Sequence, residues 1–181
     1  MAIDEWVGSQ LRGAVLPSLA LPATEGPDVD VARLPGRSLI IVYPWTGRPG
    51  CPNPPDWDAI PGAHGSTPEL ESFRDSYSKF VQRGVRLFGM SRQTTDYQRE
   101  LVHRLALPFP ILSDARGHFA AALRLPSFAT GGETYLKRLT LLVEAGRVAQ
   151  VFYPVRDPAA HAEEVLRRLS QSASSSASST E

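Results

Sequence analysis

The residues best suited to chemistry in this sequence lie in one segment, residues 46–66. It contains the only cysteine of the chain, Cys51. A thiolate is a strong nucleophile, and a lone cysteine excludes a disulfide framework and a cysteine-rich metal site. The segment ends at Ser66-Thr67-Pro68, which predicts a helix with Thr67 as the N-cap and Pro68 at the first helical position. Because a helix N-terminus favours negative charge, an anion would be stabilised there.

A second possible chemistry uses a serine and a histidine. His64 lies two residues before Ser66, as a Ser–His hydrolase could require. However, the sequence GAHGST lacks the G-x-S-x-G turn that presents a nucleophilic serine, so this interpretation is weak. The four histidines show no H-x-x-x-H spacing, and we predict neither a metal nor another cofactor.

The segment is also unusual as a connection between two elements. It reads TGRPGCPNPPDWDAIPGAHGS, with five prolines, four glycines and no periodic apolar pattern. Loops of this length without secondary structure are uncommon in compact domains and are often functional. Proline restricts φ and lowers the entropy of the free chain, so we expect an ordered loop.

The elements that must position this loop alternate between strands and helices. Ser38–Tyr43 is a continuous apolar run, typical of a central strand that is buried on both faces, and Pro44 ends it. The order predicts a three-layer α/β domain with a mixed central sheet and flanking helices. The further predicted elements are a helix from Thr67 to Gly84, a strand at Val85–Met90, a helix at Thr95–Leu105, a strand at Phe109–Leu112, a helix at Gly117–Leu123, a hairpin of Leu139–Val143 and Val148–Tyr153, and a helix at Pro158–Leu169.

Composition limits the domain organisation and the partners. We predict one domain over residues 1–169 and a disordered tail over residues 170–181, because SQSASSSASSTE has no large apolar residue. Nineteen basic residues balance nineteen acidic ones, so the chain has no excess of positive charge that would indicate binding to nucleic acid or to an anionic membrane. No apolar run approaches the roughly 20 residues of a membrane span. The lone thiol and the acidic N-terminus, which does not read as a signal peptide, favour the cytoplasm.

Several segments together resemble the peroxiredoxins of the alkyl hydroperoxide reductase and thiol-specific antioxidant group, nearest the bacterioferritin-comigratory or Q-type branch. They are VLPSLALPATEG, SLIIVYP, GSTPELESFRD, VRLFGMS, LPFPILSD and RLTLLVEAGRV. The resemblance implies a thioredoxin-like fold with Arg138 at the position of the family's pocket arginine. It also implies a peroxide as the small-molecule substrate, a thiolate that becomes a sulfenic acid, an external thiol reductant and a homodimer.

Two alignments compete for the reactive position. Counting forward from Tyr43-Pro44, the family pattern P-x-x-x-T-x-x-C places Cys51 there, with Arg48 where the family has threonine. Counting back from the helix, GSTPELESFRD places Ser66 there. We prefer the second alignment, because Cys51 precedes the sequence PNPP, which cannot begin a regular helix. The long loop is then an insertion before the helix.

A serine at position 66 leaves two functions open, because its hydroxyl stays protonated near neutral pH and is a poor nucleophile toward peroxide. In the interpretation that we favour, Cys51 folds back toward Ser66 and Arg138 and reduces peroxide with an external thiol. Arg48, three residues away, would stabilise its thiolate.

In the alternative, peroxidase chemistry is lost and the pocket serves a non-redox enzyme or a small-molecule binding protein. Ser66, Thr67 and Arg138 would then bind an anion or a carbonyl group. His64, Glu69 and Tyr43 would supply proton transfer. In either case the resemblance implies that Tyr43 and Pro44 line the pocket.

Overall fold

The computed structural model describes residues 3–177. Within this range the chain forms six α-helices and nine strands, together with three short 3-10 turns. The helices are α1 (Ile3–Leu11), α2 (Ser66–Asp75), α3 (Tyr77–Gln82), α4 (Thr95–Leu105), α5 (His118–Leu123) and α6 (His161–Ala177). The strands are β1 (Ala20–Leu21), β2 (Val29–Asp30), β3 (Arg37–Val42), β4 (Val85–Ser91), β5 (Ile111–Ser113), β6 (Ser127–Thr130), β7 (Glu133–Leu136), β8 (Leu139–Glu144) and β9 (Arg147–Phe152).

The core of the fold is a five-stranded mixed sheet in the order β5-β4-β3-β8-β9. The central strand β3 runs parallel to β4 and antiparallel to β8. Its side chains alternate between two apolar cores, with Leu39 and Ile41 on the face covered by α2, α3, α4 and α6, and Ile40 and Val42 on the face covered by α1 and α5. The predicted three-layer architecture with a mixed central sheet is therefore confirmed.

The pairing of β3 with β8 decides where the candidate site lies. Val42 at the end of β3 is opposite Leu139 at the beginning of β8. Since the two strands are antiparallel, Tyr43 and Arg138, one residue beyond each, come to the same edge of the sheet. Two residues that are 95 positions apart in the sequence therefore flank one site.

The structure differs from the sequence predictions at several element boundaries. The helix predicted from Thr67 to Gly84 is broken at Ser76, whose φ of −100° and ψ of 4° separate α2 from α3. Strand β5 begins at Ile111, after Pro110, because proline has no N–H for the ladder. The β6–β7 hairpin was not predicted, since only one of its eight strand residues is buried and its apolar alternation is weak.

The last helix begins and ends later than predicted. A 3-10 turn occupies Pro158–Ala160, and α6 continues to Ala177. The helix thus includes residues 170–177 of the predicted disordered tail, where alanines favour helix and the Ser170 and Ser172 hydroxyls donate to carbonyl oxygens one turn back. Residues 178–181 of that tail lie outside the described residues.

Candidate active site

Ser66 is the first residue of α2 and only 3% of its surface is exposed. The residue before it, Gly65, is the N-cap and has a φ of 111°. An added Cβ at Gly65 would lie 2.7 Å from Cγ of Pro158, so both the backbone and the available space require glycine. The prediction that Thr67 is the N-cap is wrong, because Thr67 is the second helical residue. Pro68 is the third, where its missing N–H costs little because first-turn N–H groups lack intrahelical partners.

Arg138 connects the tip of α2 to the end of the long loop. The residue precedes β8 and is 5% exposed. Its Nη2 donates to Ser66 Oγ and the His64 carbonyl oxygen at 3.1 Å, and approaches the carbonyl oxygens of Gly62 and Ala63 at 3.4 Å. The guanidinium therefore joins the end of the long loop to the beginning of α2. We call this set of residues the Arg138 corner (Gly62–His64, Ser66, Glu69 and Arg138).

Glu69 supplies the negative charge of the Arg138 corner. It is fully buried, and its Oε1 accepts a hydrogen bond from Arg138 Nη1 at 3.1 Å. Its Oε2 has no hydrogen-bond partner among the residues that the structure describes. Burial raises the pKa of Glu69 to about 7, and the Arg138 charge opposes that shift. The corner thus contains a carboxyl group that can exchange a proton near neutral pH.

Tyr43 and Pro44 follow directly after β3, and both are buried. Burial, the largest cause, raises the pKa of Tyr43 well above its usual range, and the nearby Glu69 charge adds to the shift. The Tyr43 hydroxyl is therefore neutral near pH 7 and cannot act as a base there. This finding limits the proton-transfer role that the alternative interpretation gave to Tyr43.

His64 does not form a Ser–His pair with Ser66. The imidazole is exposed and its Nε2 is hydrogen-bonded to Asp58 Oδ1, whereas the backbone carbonyl oxygen of His64 is what joins the Arg138 corner. Among the described residues, no hydrogen bond links the His64 ring to the Ser66 hydroxyl. Thr67, the next residue on α2, is partly buried.

Cys51 is exposed and lies at the end of a tight turn. Its N–H donates to the Arg48 carbonyl oxygen at 3.0 Å, and Gly50 has a φ of 79°. Proline at the second position and a positive φ at the third make Arg48-Pro49-Gly50-Cys51 a type II turn, which we call the Cys51 turn. The Arg48 guanidinium lies 3.9 Å from the centre of the Tyr97 ring, so the turn rests on α4.

The structure therefore divides the predicted site residues into two groups. Ser66, Glu69 and Arg138 are joined in the Arg138 corner, and Arg48 lies with Cys51 against α4. Within the described part of the chain, no hydrogen bond or ion pair connects the Cys51 side chain to Arg138. The predicted approach of the Cys51 sulfur to Arg138 stays a prediction.

An aromatic cluster holds the middle of the long loop. Trp57 is 3% exposed, and its ring lies 5.1 Å from Tyr135 and 5.7 Å from Phe128, both on the β6–β7 hairpin. The Trp45 ring lies 5.4 Å from it on the other side. Because sequence analysis did not predict the hairpin, it could not place this contact.

Sequence analysis also missed three polar residues of α4 that contact the loop. The Tyr97 hydroxyl donates to the Thr46 carbonyl oxygen at 2.9 Å, and Arg104 donates to the Gly47 carbonyl oxygen at 3.0 Å and to Glu100 at 2.7 Å. Tyr97 is partly buried. The Glu100–Arg104 spacing was a visible signal of a helix-surface ion pair.

Two further features concern cofactors and membranes. Among the described residues, no three His, Cys, Asp or Glu side chains are grouped closely enough to hold a metal ion. In the same part of the chain, no helix combines the length and the apolar character needed to cross a bilayer.

The three-layer α/β fold, with its mixed sheet in the order β5-β4-β3-β8-β9, places the chain in the class of thioredoxin-like domains. The sequence matches the Redoxin family over residues 11–166, and the chain belongs to that family. The resemblance to Q-type peroxiredoxins is confirmed by its curated relatives.

Two curated relatives are similar over most of the chain. Peroxiredoxin Q of Sedum lineare, a chloroplastic protein, is 27% identical over 160 residues, covering 87% of this chain and 77% of the relative. A bcp-type peroxiredoxin of Coxiella burnetii is 26% identical over 164 residues, covering 87% and 97%. Among solved structures, peroxidoxin BcpB of Mycobacterium tuberculosis superimposes with a TM-score of 0.71 at 23% identity, covering 89% of this chain and 97% of its own. The last comparison supports the fold.

Proposed function

We propose that this protein reduces hydrogen peroxide or organic hydroperoxides with an external thiol as reductant, and that Cys51 is the thiol that is oxidised. Membership of the family and the peroxiredoxin relatives support thiol-dependent peroxide reduction. The observation that carries the assignment to Cys51 is that it is the only thiol in the chain and is exposed, while serine occupies the tip of α2.

The chemistry balances with groups that this chain and its substrates supply. The Cys51 thiolate attacks one peroxide oxygen, an S–O bond forms and the O–O bond breaks. The departing alkoxide or hydroxide takes a proton from water, and the sulfur becomes a sulfenic acid. One external thiol then condenses with the sulfenic acid to give water and a mixed disulfide. A second external thiol attacks the external sulfur of that disulfide, which gives the oxidised disulfide of the reductant and releases Cys51 as the thiol.

Arg48 and the Arg138 corner have different roles in this proposal. Arg48 is the cationic side chain nearest Cys51 along the chain and stabilises the thiolate and the developing negative charge. Ser66, Glu69 and Arg138 hold the end of the loop that carries Cys51. Tyr43, Pro44, Thr67 and the exposed His64 ring would contact substrate only if it enters at that corner.

The test is peroxide consumption with dithiothreitol as reductant. We expect Cys51→Ser to lose turnover and Asn53→Ser, an exchange at an exposed position of the same loop, to keep it. A sulfenic acid trap followed by mass spectrometry should label Cys51 in the parent protein. Full turnover by Cys51→Ser would overturn the assignment to Cys51, and a parent protein that consumes no peroxide would favour a non-redox use of the Arg138 corner.

We further propose that the protein works in the cytoplasm as a homodimer. The lone thiol would remain reduced there and available to an external thiol. Light scattering across a concentration series tests the dimer, and a monomer at all concentrations would reject it.

A further inference from the structure

This inference rests on the proposed function, because it concerns how the Cys51 turn is held. In a turn of this type the first and last Cα atoms lie within about 7 Å, so Arg48 and Cys51 are close neighbours. The turn belongs to neither a strand nor a helix. Its position is set by side chains that reach it from α4.

Two guanidinium groups compete for one carboxylate beside the turn. Arg48 Nε lies 3.4 Å from Glu100 Oε2, and Arg104 Nε lies 2.7 Å from Glu100 Oε1. The side chains of Arg48 and Glu100 are 34% and 35% exposed, so their charges are screened only in part. The Glu100 carboxylate therefore partly neutralises the Arg48 charge that would otherwise stabilise a Cys51 thiolate.

Tyr97 fixes the geometry of this arrangement. Its ring lies under the Arg48 guanidinium at 3.9 Å, and its hydroxyl holds the Thr46 carbonyl oxygen at the beginning of the loop. The pKa of Tyr97 is raised mainly by burial and also by the charge of Cys51, and Arg48 lowers it. Because Arg48 is stacked on the Tyr97 ring and begins the turn that ends at Cys51, the phenol lies beside the Cys51 turn.

We infer that Arg48, Tyr97 and Glu100 are positioning residues for Cys51: Tyr97 fixes the Cys51 turn on α4, and Glu100 restrains the thiol by withdrawing the Arg48 charge from it. The consequence is that removal of the two opposite charges changes the reactivity of Cys51 in opposite directions. If the two substitutions acted only by loosening the packing of the turn, the reactivity of Cys51 would change in the same direction whichever charge is removed.

The test measures the rate at which iodoacetamide alkylates Cys51 at pH 7, in the full-length protein and without peroxide. We expect Glu100→Gln to accelerate alkylation roughly threefold and Arg48→Gln to slow it by a similar factor. Arg48→Lys, which keeps the charge, should restore most of the rate. Arg99→Gln removes an exposed ion pair with Asp96 on the same helix and should leave the rate unchanged.

A double-mutant cycle completes the test. In a Tyr97→Leu background, where Arg48 loses its ring contact, the effect of Glu100→Gln should shrink. Rates that move in the same direction in Glu100→Gln and Arg48→Gln, or that do not move, would overturn the inference. Because alkylation requires no catalysis, it decides this inference even if Cys51→Ser retains peroxidase activity and the proposed function fails.

Discussion

Arg138 and Ser66 are separated by 72 positions and are joined by a hydrogen bond of 3.1 Å from Nη2 to Oγ. The contact exists because β3 and β8 pair antiparallel and bring the residue before β8 to the tip of α2. It places a buried cation beside the side chain at the beginning of a helix, where the helix dipole also favours negative charge. The Arg138 corner therefore presents a guanidinium and a helix N-terminus to position 66, where a neutral hydroxyl stands.

A cysteine at this position should consequently become reactive. We expect Ser66→Cys, made in the Cys51→Ser background, to consume peroxide at least about tenfold faster than that background, because the dipole and Arg138 favour the thiolate. Stopped-flow measurement of the first turnover tests the expectation. The matched control is Thr67→Cys in the same background, one residue along α2, which should gain much less. Equal gains in the two variants would contradict a special role for position 66.

The buried carboxyl of Glu69 should make stability depend on pH. Its pKa in the folded protein is about 7, above the ordinary value of 4.5, so the folded state holds a proton that the unfolded chain releases between those values. The free energy of unfolding should therefore fall, relative to Glu69→Gln, as the pH rises from about 4.5 to about 7. The difference should reach about 3 kcal/mol at most. Urea unfolding of both proteins at pH 5 and pH 7.5 measures it, and a constant difference would contradict the prediction.

His161 should show the opposite dependence. It is 1% exposed, its Nε2 lies 2.9 Å from Thr140 Oγ1, and burial together with the Arg138 and Arg168 charges lowers its pKa to about 4. As the pH falls from 6.5 to about 4, the His161 imidazole becomes protonated in the unfolded chain but stays neutral in the folded protein. The free energy of unfolding therefore decreases over this range.

The His161→Gln variant should lack this loss on acidification. Unfolding at pH 5 and pH 7 compares it with the parent protein, and the proton NMR signal of the imidazole reports the titration directly. A His161 ring that titrates near 6.5 in the folded protein would be inconsistent with the buried position. Because Glu69 acts in the reverse direction over part of the same range, each variant is compared with the parent separately.

Trp57 should stabilise both the fold and the loop. Its ring is buried between the loop and the β6–β7 hairpin, so Trp57→Ala should lower the free energy of unfolding by about 3–5 kcal/mol. We also expect faster proteolysis within residues 46–65. Trp6→Ala is the matched control, because the Trp6 side chain is 50% exposed, and its effect should be much smaller. Similar losses in the two variants would show that the aromatic cluster does not anchor the loop.

The sequence by itself determined the alternation of the main strands and helices, and it placed the beginning of α2 within two residues of Ser66. The run at Ser38–Tyr43 could only be a strand buried on both faces, and the spacing at Thr95–Leu105 defined α4 at both ends. These patterns are local, because periodicity and turn residues act within a few positions of one another. For the same reason the break at Ser76 and the exposed β6–β7 hairpin were not predictable.

Tertiary structure alone decided the chemistry of the site. The proton affinity of Glu69 depends on complete burial beside Arg138, and the placement of Cys51 depends on side chains of α4 that lie about fifty positions further along the chain. Burial and long-range charge are properties of the packed molecule, because desolvation is set by every element that surrounds a group. A loop without periodicity has no local signal for its own position, so only its contacts with α4 and the hairpin determine where the thiol lies.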